Sequence, residues 1–243
     1  MLINKNNTLV GTYYALSGDG WVVKLDVGSY IAVCSVENQA YDVDPVNATL
    51  TIAMDSSKLV ASGVTAVYNG GKYVVATLKD GSNKPISNVK VSIKFSNGKV
   101  INSKTDKNGK VKFSTNGLVP VKSYSATITF AGNINYLKST KSVKVTVKKA
   151  TVKLTAKAKT FKRTVKTKKY TVTLKTNQNK VMKNTKVTIT VNKKTYTAKT
   201  NSKGVATFKL TKLTKKGKYT ATVKYAGSKY YNAKTVKPKI TVK

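Results

Sequence analysis

The chain has 243 residues, of which 46 are lysine or arginine and only 8 are aspartate or glutamate, with no histidine and one cysteine. Metal sites built on imidazole and thiolate, nucleophile–histidine arrangements and intrachain disulfides are thereby excluded, so we expect no enzyme, no cofactor and no metal. No apolar run is long enough to cross a bilayer, and no signal peptide is recognisable, so if the protein is extracellular its secretion signal would lie upstream of Met1.

The charge rises along the chain. Residues 1–55 carry two lysines against six acids, residues 56–149 carry 17 lysines against two acids, and residues 150–243 carry 27 basic residues and no acid. The last third is therefore a polycation that should attract acidic polymers.

Residues 1–55 are predicted to be an incomplete or divergent module. The stretch GSYIAVCSV at 28–36 repeats the start of a strand seen twice more downstream, but nothing before it corresponds to the first strands of the later copies. Half a sandwich exposes an apolar face and unpaired edges. Two explanations stay open: the chain is a fragment of a longer array, or another chain supplies the missing strands. Cys34 takes an apolar strand position, so we expect it to be buried.

Residues 56–149 are predicted to form a complete module. β-branched and aromatic residues alternate with polar ones at a period of two, and glycine- or asparagine-rich turns separate the runs. The predicted strands are 59–68, 72–78, 89–95, 99–103, 110–114, 123–130 and 142–147.

Residues 150–243 follow through a very short junction and repeat the pattern. The predicted strands are 152–158, 169–175, 186–191, 195–198, 205–210, 219–225 and 237–242. Junctions this short favour an elongated, fairly stiff array of modules.

The period of the repeat identifies the module. Tyr124 and Tyr219 are 95 positions apart, and Tyr30 lies 94 positions before Tyr124. Seven strands in about this length are typical of an immunoglobulin-like sandwich, so we predict an all-β fold of tandem Greek-key β-sandwiches. Each of the three tyrosines opens the sixth strand, which is the place of the tyrosine corner, a structural device.

The basic residues suggest the partner. All are lysines except Arg163, and lysine is poorly suited to base recognition, so no specific nucleic acid is expected. An acidic cell-wall or surface polysaccharide is the expected partner, with no membrane insertion. The expected contacts are Lys153, Lys157, Lys159, Lys162, Arg163, Lys215 and Lys216.

Three further expectations concern individual residues. Asn6 and Asn47 match the glycosylation acceptor pattern. Some tyrosines could be exposed and stack on sugar rings, namely Tyr13, Tyr14, Tyr170, Tyr196 and Tyr230. If calcium bound at the first junction as an alternative to no metal, its candidate ligands would be Asp42, Asp44, Asp55 and Asp106.

The repeat resembles a known family. The stretches GKYTATVKYAGSKYY at 217–231 and TNSKGVATF at 200–208 resemble the Ig-like repeats of adhesin-like surface proteins of methanogenic archaea, which are similar to bacterial Ig-like domains of the invasin and intimin type. The counterpart TDKNGKVKF at 105–113 extends the resemblance to the second copy. The resemblance implies an extracellular stalk or adhesion module at the cell surface or cell wall, without catalytic residues. The alternative is a filament subunit that self-associates by strand donation to the incomplete N-terminal module.

Overall fold

A computed structural model describes residues 2–4, 9–11, 25–34, 44–120 and 122–243. All regular secondary structure in these residues is β-strand. They contain no helix of the length and apolarity that a membrane crossing requires. Several expectations fall outside the described residues, namely those for Asn6, Tyr13, Tyr14 and Asp42. Cys34 ends a strand, but its side chain is also outside the described part.

The N-terminal strands form one four-stranded sheet in the order β2-β1-β3-β4. They are β1 (Leu2–Asn4), β2 (Leu9–Gly11), β3 (Gly28–Cys34) and β4 (Val46–Ile52). Strand β3 pairs antiparallel with both β1 and β4. The first six residues of β4 are exposed, so alternation along this strand does not create a buried face.

The segment 56–149 carries eight strands in two sheets. They are β5 (Ser57–Ala61), β6 (Val64–Val67), β7 (Tyr73–Asp80), β8 (Lys90–Phe95), β9 (Val100–Lys104), β10 (Lys110–Ser114), β11 (Lys122–Phe130) and β12 (Ser139–Lys148). One sheet has the order β10-β7-β5 and the other β6-β12-β11-β8-β9. Strand β6 runs parallel to β12, and the remaining described registers of this segment are antiparallel.

The segment 150–243 carries ten strands. They are β13 (Val152–Thr155), β14 (Lys159–Phe161), β15 (Lys168–Thr176), β16 (Lys186–Val191), β17 (Lys194–Lys199), β18 (Val205–Leu210), β19 (Gly217–Thr220), β20 (Thr222–Tyr225), β21 (Lys234–Val236) and β22 (Lys239–Val242). The sheet orders are β13-β15-β18, β14-β22-β19 and β17-β16-β20-β21, and β14 again runs parallel to a last strand, β22.

One apolar core holds the segment 150–243 together. It takes buried residues from every sheet, among them Leu174, Ile189, Phe208 and Ile240, so the sheets pack face to face as a sandwich. The last two long strands are each interrupted once, because Pro238 has no N–H to donate to the ladder. The carbonyl oxygen of Pro238 still accepts from the N–H of Ala221 at 2.9 Å, so the chain stays paired across the break.

These sheet orders confirm the predicted fold class: all-β, with tandem immunoglobulin-like Greek-key β-sandwiches. The single predicted strand 59–68 is wrong, because β5 and β6 lie in different sheets. Gly63 stands where the chain crosses over, and a Cβ there would meet the carbonyl oxygen of Lys144 at 2.7 Å. The predicted strand 152–158 likewise ends at Thr155, and a separate strand β14 follows.

The chain forms two compact units. Among the described residues, the first unit holds those within 1–62, 75–113 and 126–143, and the second holds those within 63–74, 114–125 and 144–243. The predicted module boundaries, 1–55, 56–149 and 150–243, stay a prediction.

Candidate functional site

The three repeat tyrosines make the same kind of hydrogen bond. The hydroxyl of Tyr30 donates to the carbonyl of Asp26 at 2.7 Å, that of Tyr124 to Val119 at 3.0 Å, and that of Tyr219 to Lys215 at 2.8 Å. Each bond ties the tyrosine side chain to the backbone four or five residues before the tyrosine itself. Tyr124 is 2% exposed, so its hydroxyl bond also satisfies a group that is almost shielded from water.

A backbone clamp fixes the linker, residues 149–151, which precedes the first strand of the last segment. The N–H of Ala150 donates to the carbonyl of Tyr230 at 3.0 Å, and the N–H of Asn232 donates to the carbonyl of Ala150 at 2.8 Å. These two bonds form an isolated parallel bridge between Ala150 and Tyr231. The linker is therefore paired with the loop that follows β20, rather than crossing open solvent.

Three tyrosine rings pack beside this clamp, and we call Tyr68, Tyr230 and Tyr231 the tyrosine joint. The Tyr68 ring stacks on Tyr230, with centroids 4.7 Å apart and planes 23° apart. It also meets Tyr231 edge-on, at 5.7 Å and 84°. Burial raises the pKa of Tyr231, with smaller contributions from Tyr68 and Tyr225. The joint thus links the end of β6 to the loop of the last segment, and all of it lies in the second compact unit.

A related arrangement occurs at residue 55, within the first compact unit. The N–H of Asp55 donates to the carbonyl of Asn135, and the N–H of Leu137 donates to the carbonyl of Asp55, both at 2.9 Å. Here the residue equivalent to Tyr230 is Asn135, whose amide group donates to a carboxylate oxygen of Asp26 at 3.3 Å. The same loop position therefore contacts the preceding segment in both places, once by a polar pair and once by aromatic stacking.

The described tyrosines that were expected to be exposed are buried or half-buried. Tyr170 is 1% exposed, its hydroxyl donates to the carbonyl of Lys157, and burial raises its pKa, so that expectation is wrong. Tyr196 is half-buried against the core, and its hydroxyl oxygen accepts from the N–H of Lys212. Tyr230 is half-buried in the tyrosine joint.

The structure brings four of the expected polyanion contacts to one end of a sheet. Lys162 and Arg163 follow Phe161, while Lys215 and Lys216 precede Gly217. Phe161 and Gly217 are both Cα partners of Val242, so the four basic side chains lie at the same end of the sheet β14-β22-β19. All four are exposed.

The remaining three expected contacts lie elsewhere. Lys153 lies on β13, in the sheet β13-β15-β18 opposite β14-β22-β19. Its ammonium donates to the side-chain oxygen of Asn179 at 2.8 Å. Lys157 is exposed, and its carbonyl receives the Tyr170 hydroxyl. The Lys159 ammonium donates to the carbonyl of Lys169 and lies 5.1 Å from the centre of the Phe161 ring. The seven residues therefore do not form a single patch by geometry.

Among the residues that the structure describes, one lysine is buried, and its burial was not predicted from the sequence. Lys168 is 1% exposed, and its ammonium donates to the carbonyl of Val165 at 2.7 Å and to that of Arg163 at 3.4 Å. A buried cation needs such acceptors to offset its lost hydration. The alternation that puts Tyr170 and Val172 in the core places Lys168 on the same face of the strand. The burial of Lys168 could therefore have been predicted from this alternation.

The carboxylates of Asp80 and Asp106 accept backbone N–H groups of their own turns. One carboxylate oxygen of Asp106 accepts the backbone N–H groups of Lys110 and Asn108, both at 2.9 Å. The hydrogen bond from Lys110 is the main cause that lowers the pKa of Asp106. Asp55 uses both carboxylate oxygens: one accepts the N–H of Ser56, and the other accepts the N–H of Gly81. Among the described residues, no three potential ligands come together for a metal ion. Asn47 lies on exposed strand β4.

No protein-family model matches the chain, and no curated protein matches it. Among solved structures it is similar to invasin, a bacterial integrin-binding protein, at 20% identity and a TM-score of 0.42 over 77% of this chain and 39% of that one. It is similar to a tetra-tandem repeat from the extending region of a large adhesion protein, at 14% identity and a TM-score of 0.37 over 98% and 64% of the two chains.

A Ca²⁺-stabilised adhesin that helps an Antarctic bacterium reach out and bind ice is also similar, at 13% identity and a TM-score of 0.30 over 88% of this chain and 57% of that one. The chain spans less than two thirds of the length of each of these three structures. Several of the similar structures are thus bacterial adhesins or invasin, while the immunoglobulin-like assignment of this chain rests on its own strand pairing.

Proposed function

We propose that the chain is a non-enzymatic, adhesin-like module array at the cell surface, which acts as a spacer and contacts acidic wall or glycan polymers through its basic C-terminal segment. The observation that supports the spacer role is the backbone clamp at Ala150 together with the neighbouring tyrosine joint. There two backbone hydrogen bonds clamp the linker to the loop that holds Tyr230 and Tyr231, and the rings of these two tyrosines pack on the ring of Tyr68. A spacer needs successive modules that do not rotate freely about the linker. The clamp and the tyrosine joint restrict that rotation.

The charge of the last segment supports the adhesive role. Residues 150–243 contain 27 basic residues and no aspartate or glutamate, so the segment has no carboxylate side chain of its own to neutralise them. Contacts between exposed lysines and an acidic polymer are individually weak and are screened by salt. Adhesion by this segment should therefore be the sum of many contacts and should weaken as ionic strength rises.

The spacer role is tested by backbone ¹⁵N relaxation on the intact chain. Residues 63–67 and 144–148, before the linker, and the strands of 150–243 should report one common rotational diffusion tensor. Two separate tensors would contradict the proposal.

The adhesive role is tested by retention on immobilised polygalacturonate, which should fall steeply between low and high salt. Retention that does not change with salt would contradict the electrostatic part, and equal retention on DNA would show a general polycation.

A second candidate is a filament subunit completed by strand addition, and strand β4 favours it. In the two later segments the equivalent last strands, β12 and β22, each have a parallel partner. Within the described residues β4 pairs only with β3, and Val46 on it is 67% exposed. Light scattering on the purified chain separates the candidates: a monomer at all concentrations favours the spacer, and discrete oligomers or fibres favour the subunit.

A further inference from the structure

A groove lies on the outer surface of the sheet β17-β16-β20-β21, at the end nearest the loop that follows β20. Its volume is about 710 Å³. One side is formed by Lys186 and Thr188 of β16, and the other by Lys224 of β20 with Ser228 and Tyr231 of the loop. We call it the Lys186–Lys224 groove. None of the seven polyanion contacts expected from sequence lies in it.

Two uncompensated cations face the groove. Thr188 and Lys224 are Cα partners on adjacent strands, and Lys186 lies two residues before Thr188 on the same face. The two lysines are thus diagonal neighbours, about 7–8 Å apart at Cα in an antiparallel pair. Within the described residues neither ammonium has a hydrogen-bond or ion-pair partner, and residues 150–243 contain no acid. An anion placed between them would relieve like-charge repulsion.

The hydroxyl groups of the groove are already oriented by the backbone. The Ser228 oxygen accepts the N–H groups of Tyr230 and Tyr231, at 3.1 and 3.2 Å, which leaves its hydrogen to donate outward. Thr185 and Thr188 instead donate to backbone carbonyls, at 3.0 and 3.4 Å, which leaves lone pairs to accept. The groove therefore offers both donors and acceptors.

An apolar wall completes the groove. Tyr231 and Met182 line it, and both side chains are half-buried against the core. The Tyr231 ring is held edge-on by Tyr68, so its orientation is set by the tyrosine joint. A sugar ring has apolar C–H faces that pack on such a surface, whereas a small inorganic anion has none.

We propose that the Lys186–Lys224 groove binds one uronic-acid unit of an acidic polysaccharide. The carboxylate lies between the two ammonium groups, the sugar hydroxyls meet Ser228, Thr185 and Thr188, and the ring lies along Tyr231. This inference rests on the proposed adhesive function and assigns it a specific subsite. An inorganic phosphate would use the donors alone, so the acceptors and the aromatic wall favour the sugar acid.

The preceding segment provides a natural comparison inside the same chain. Its equivalent positions hold Lys90, Ser92 and Thr129, and the Ser92 hydroxyl donates to the carbonyl of Thr129 at 3.4 Å, as Thr188 does to Lys224. The backbone arrangement is thus shared, but the second lysine is replaced by threonine. The chain should carry one tight subsite rather than two.

Calorimetry on the intact chain with a galacturonic acid trimer tests the inference, with a trimer of galactose as the uncharged probe. The double variant K186Q/K224Q should bind the acidic trimer about tenfold or more weakly, because two charge-assisted contacts are lost. The matched variant K209Q/K218Q removes two exposed lysines elsewhere in the segment and should change affinity less than about threefold. Y231L should also weaken binding, and T129K should raise the stoichiometry from one toward two.

Equal losses in the two double variants would overturn the groove while leaving the general polyanion function standing. Displacement of the trimer by inorganic phosphate at a similar concentration would show an anion site and overturn the sugar assignment. If the unaltered chain bound neither the trimer nor polygalacturonate, the proposed adhesive function itself would fail. Far-ultraviolet circular dichroism on each variant excludes unfolding as the cause of any loss.

Discussion

Replacing Tyr68 by alanine should loosen the clamp at the linker. Tyr68 makes one stacked and one edge-on ring contact, at 4.7 and 5.7 Å, and each aromatic pair contributes about 0.5–1.5 kcal/mol beyond its buried area. All three rings are only half-buried, so the lower half of that range applies to each pair. The expected loss is about 1–2 kcal/mol in the free energy that keeps the tyrosine joint closed.

Amide hydrogen exchange measures this loss at the clamp itself. The N–H groups of Ala150 and Asn232 make the two clamp bonds, so their protection reports how often the joint opens. In Y68A both should exchange about fivefold to thirtyfold faster, the rate equivalent of the expected free energy. Tyr73→Ala is the matched control, because Tyr73 is 48% exposed and outside the joint.

A double-mutant cycle identifies the ring contact as the cause. The changes in Y68A and Y230A should be clearly non-additive if the two rings stabilise each other directly. Strictly additive changes, or equal acceleration in Y73A, would refute the reasoning.

Three further predictions concern stability. Lys168→Ala should destabilise the fold by about 2–4 kcal/mol in urea, since it removes two charged hydrogen bonds and leaves a cavity, whereas the neighbouring exposed Lys169→Ala should cost less than about 0.5 kcal/mol. Gly109→Ala should lower the free energy of unfolding by about 3 kcal/mol or more, because φ is +68° and the new Cβ would lie 2.4 Å from the carbonyl oxygen of Leu78 on the facing strand. Gly98→Ala has φ +85° but open space around the new Cβ, so it should cost only about 1–2 kcal/mol of backbone strain. Equal melting temperatures of the two variants would contradict this reasoning. The lowered pKa of Asp106 stabilises the fold above the unfolded-state value of 3.8 and this stabilisation is lost as the pH falls, so the difference in melting temperature between the unaltered chain and Asp106→Asn should shift in favour of the variant between pH 6 and pH 2.

The sequence predicted the strands well because alternation and turn residues are local. It failed at the crossover between β5 and β6, where the inward positions change from Leu59 to Ala66, that is, from odd to even numbers. That change of phase marks a switch of sheet, and Gly63 stands at it. A single continuous strand could not have buried both residues on one face.

The joint could not be predicted, because it brings together residues far apart in the chain. Tyr68 ends an early strand, and its partner Tyr230 lies in a loop near the other end of the sequence. Nothing local distinguishes either one from a packing tyrosine. The groove was missed for a related reason: Lys186 and Lys224 each look like an ordinary solvent-facing lysine until strand pairing makes them neighbours.

The loop position shared by Asn135 and Tyr230 has an evolutionary consequence. The Asn135 amide donates to the carboxylate of Asp26, while the Tyr230 ring stacks on that of Tyr68. A single residue in each repeat therefore determines which preceding segment the repeat can pack against. Gene duplication or recombination that shuffled these repeats would place an amide against a ring or a ring against a carboxylate. Repeat order along such a gene should therefore be constrained even where every repeat folds equally well.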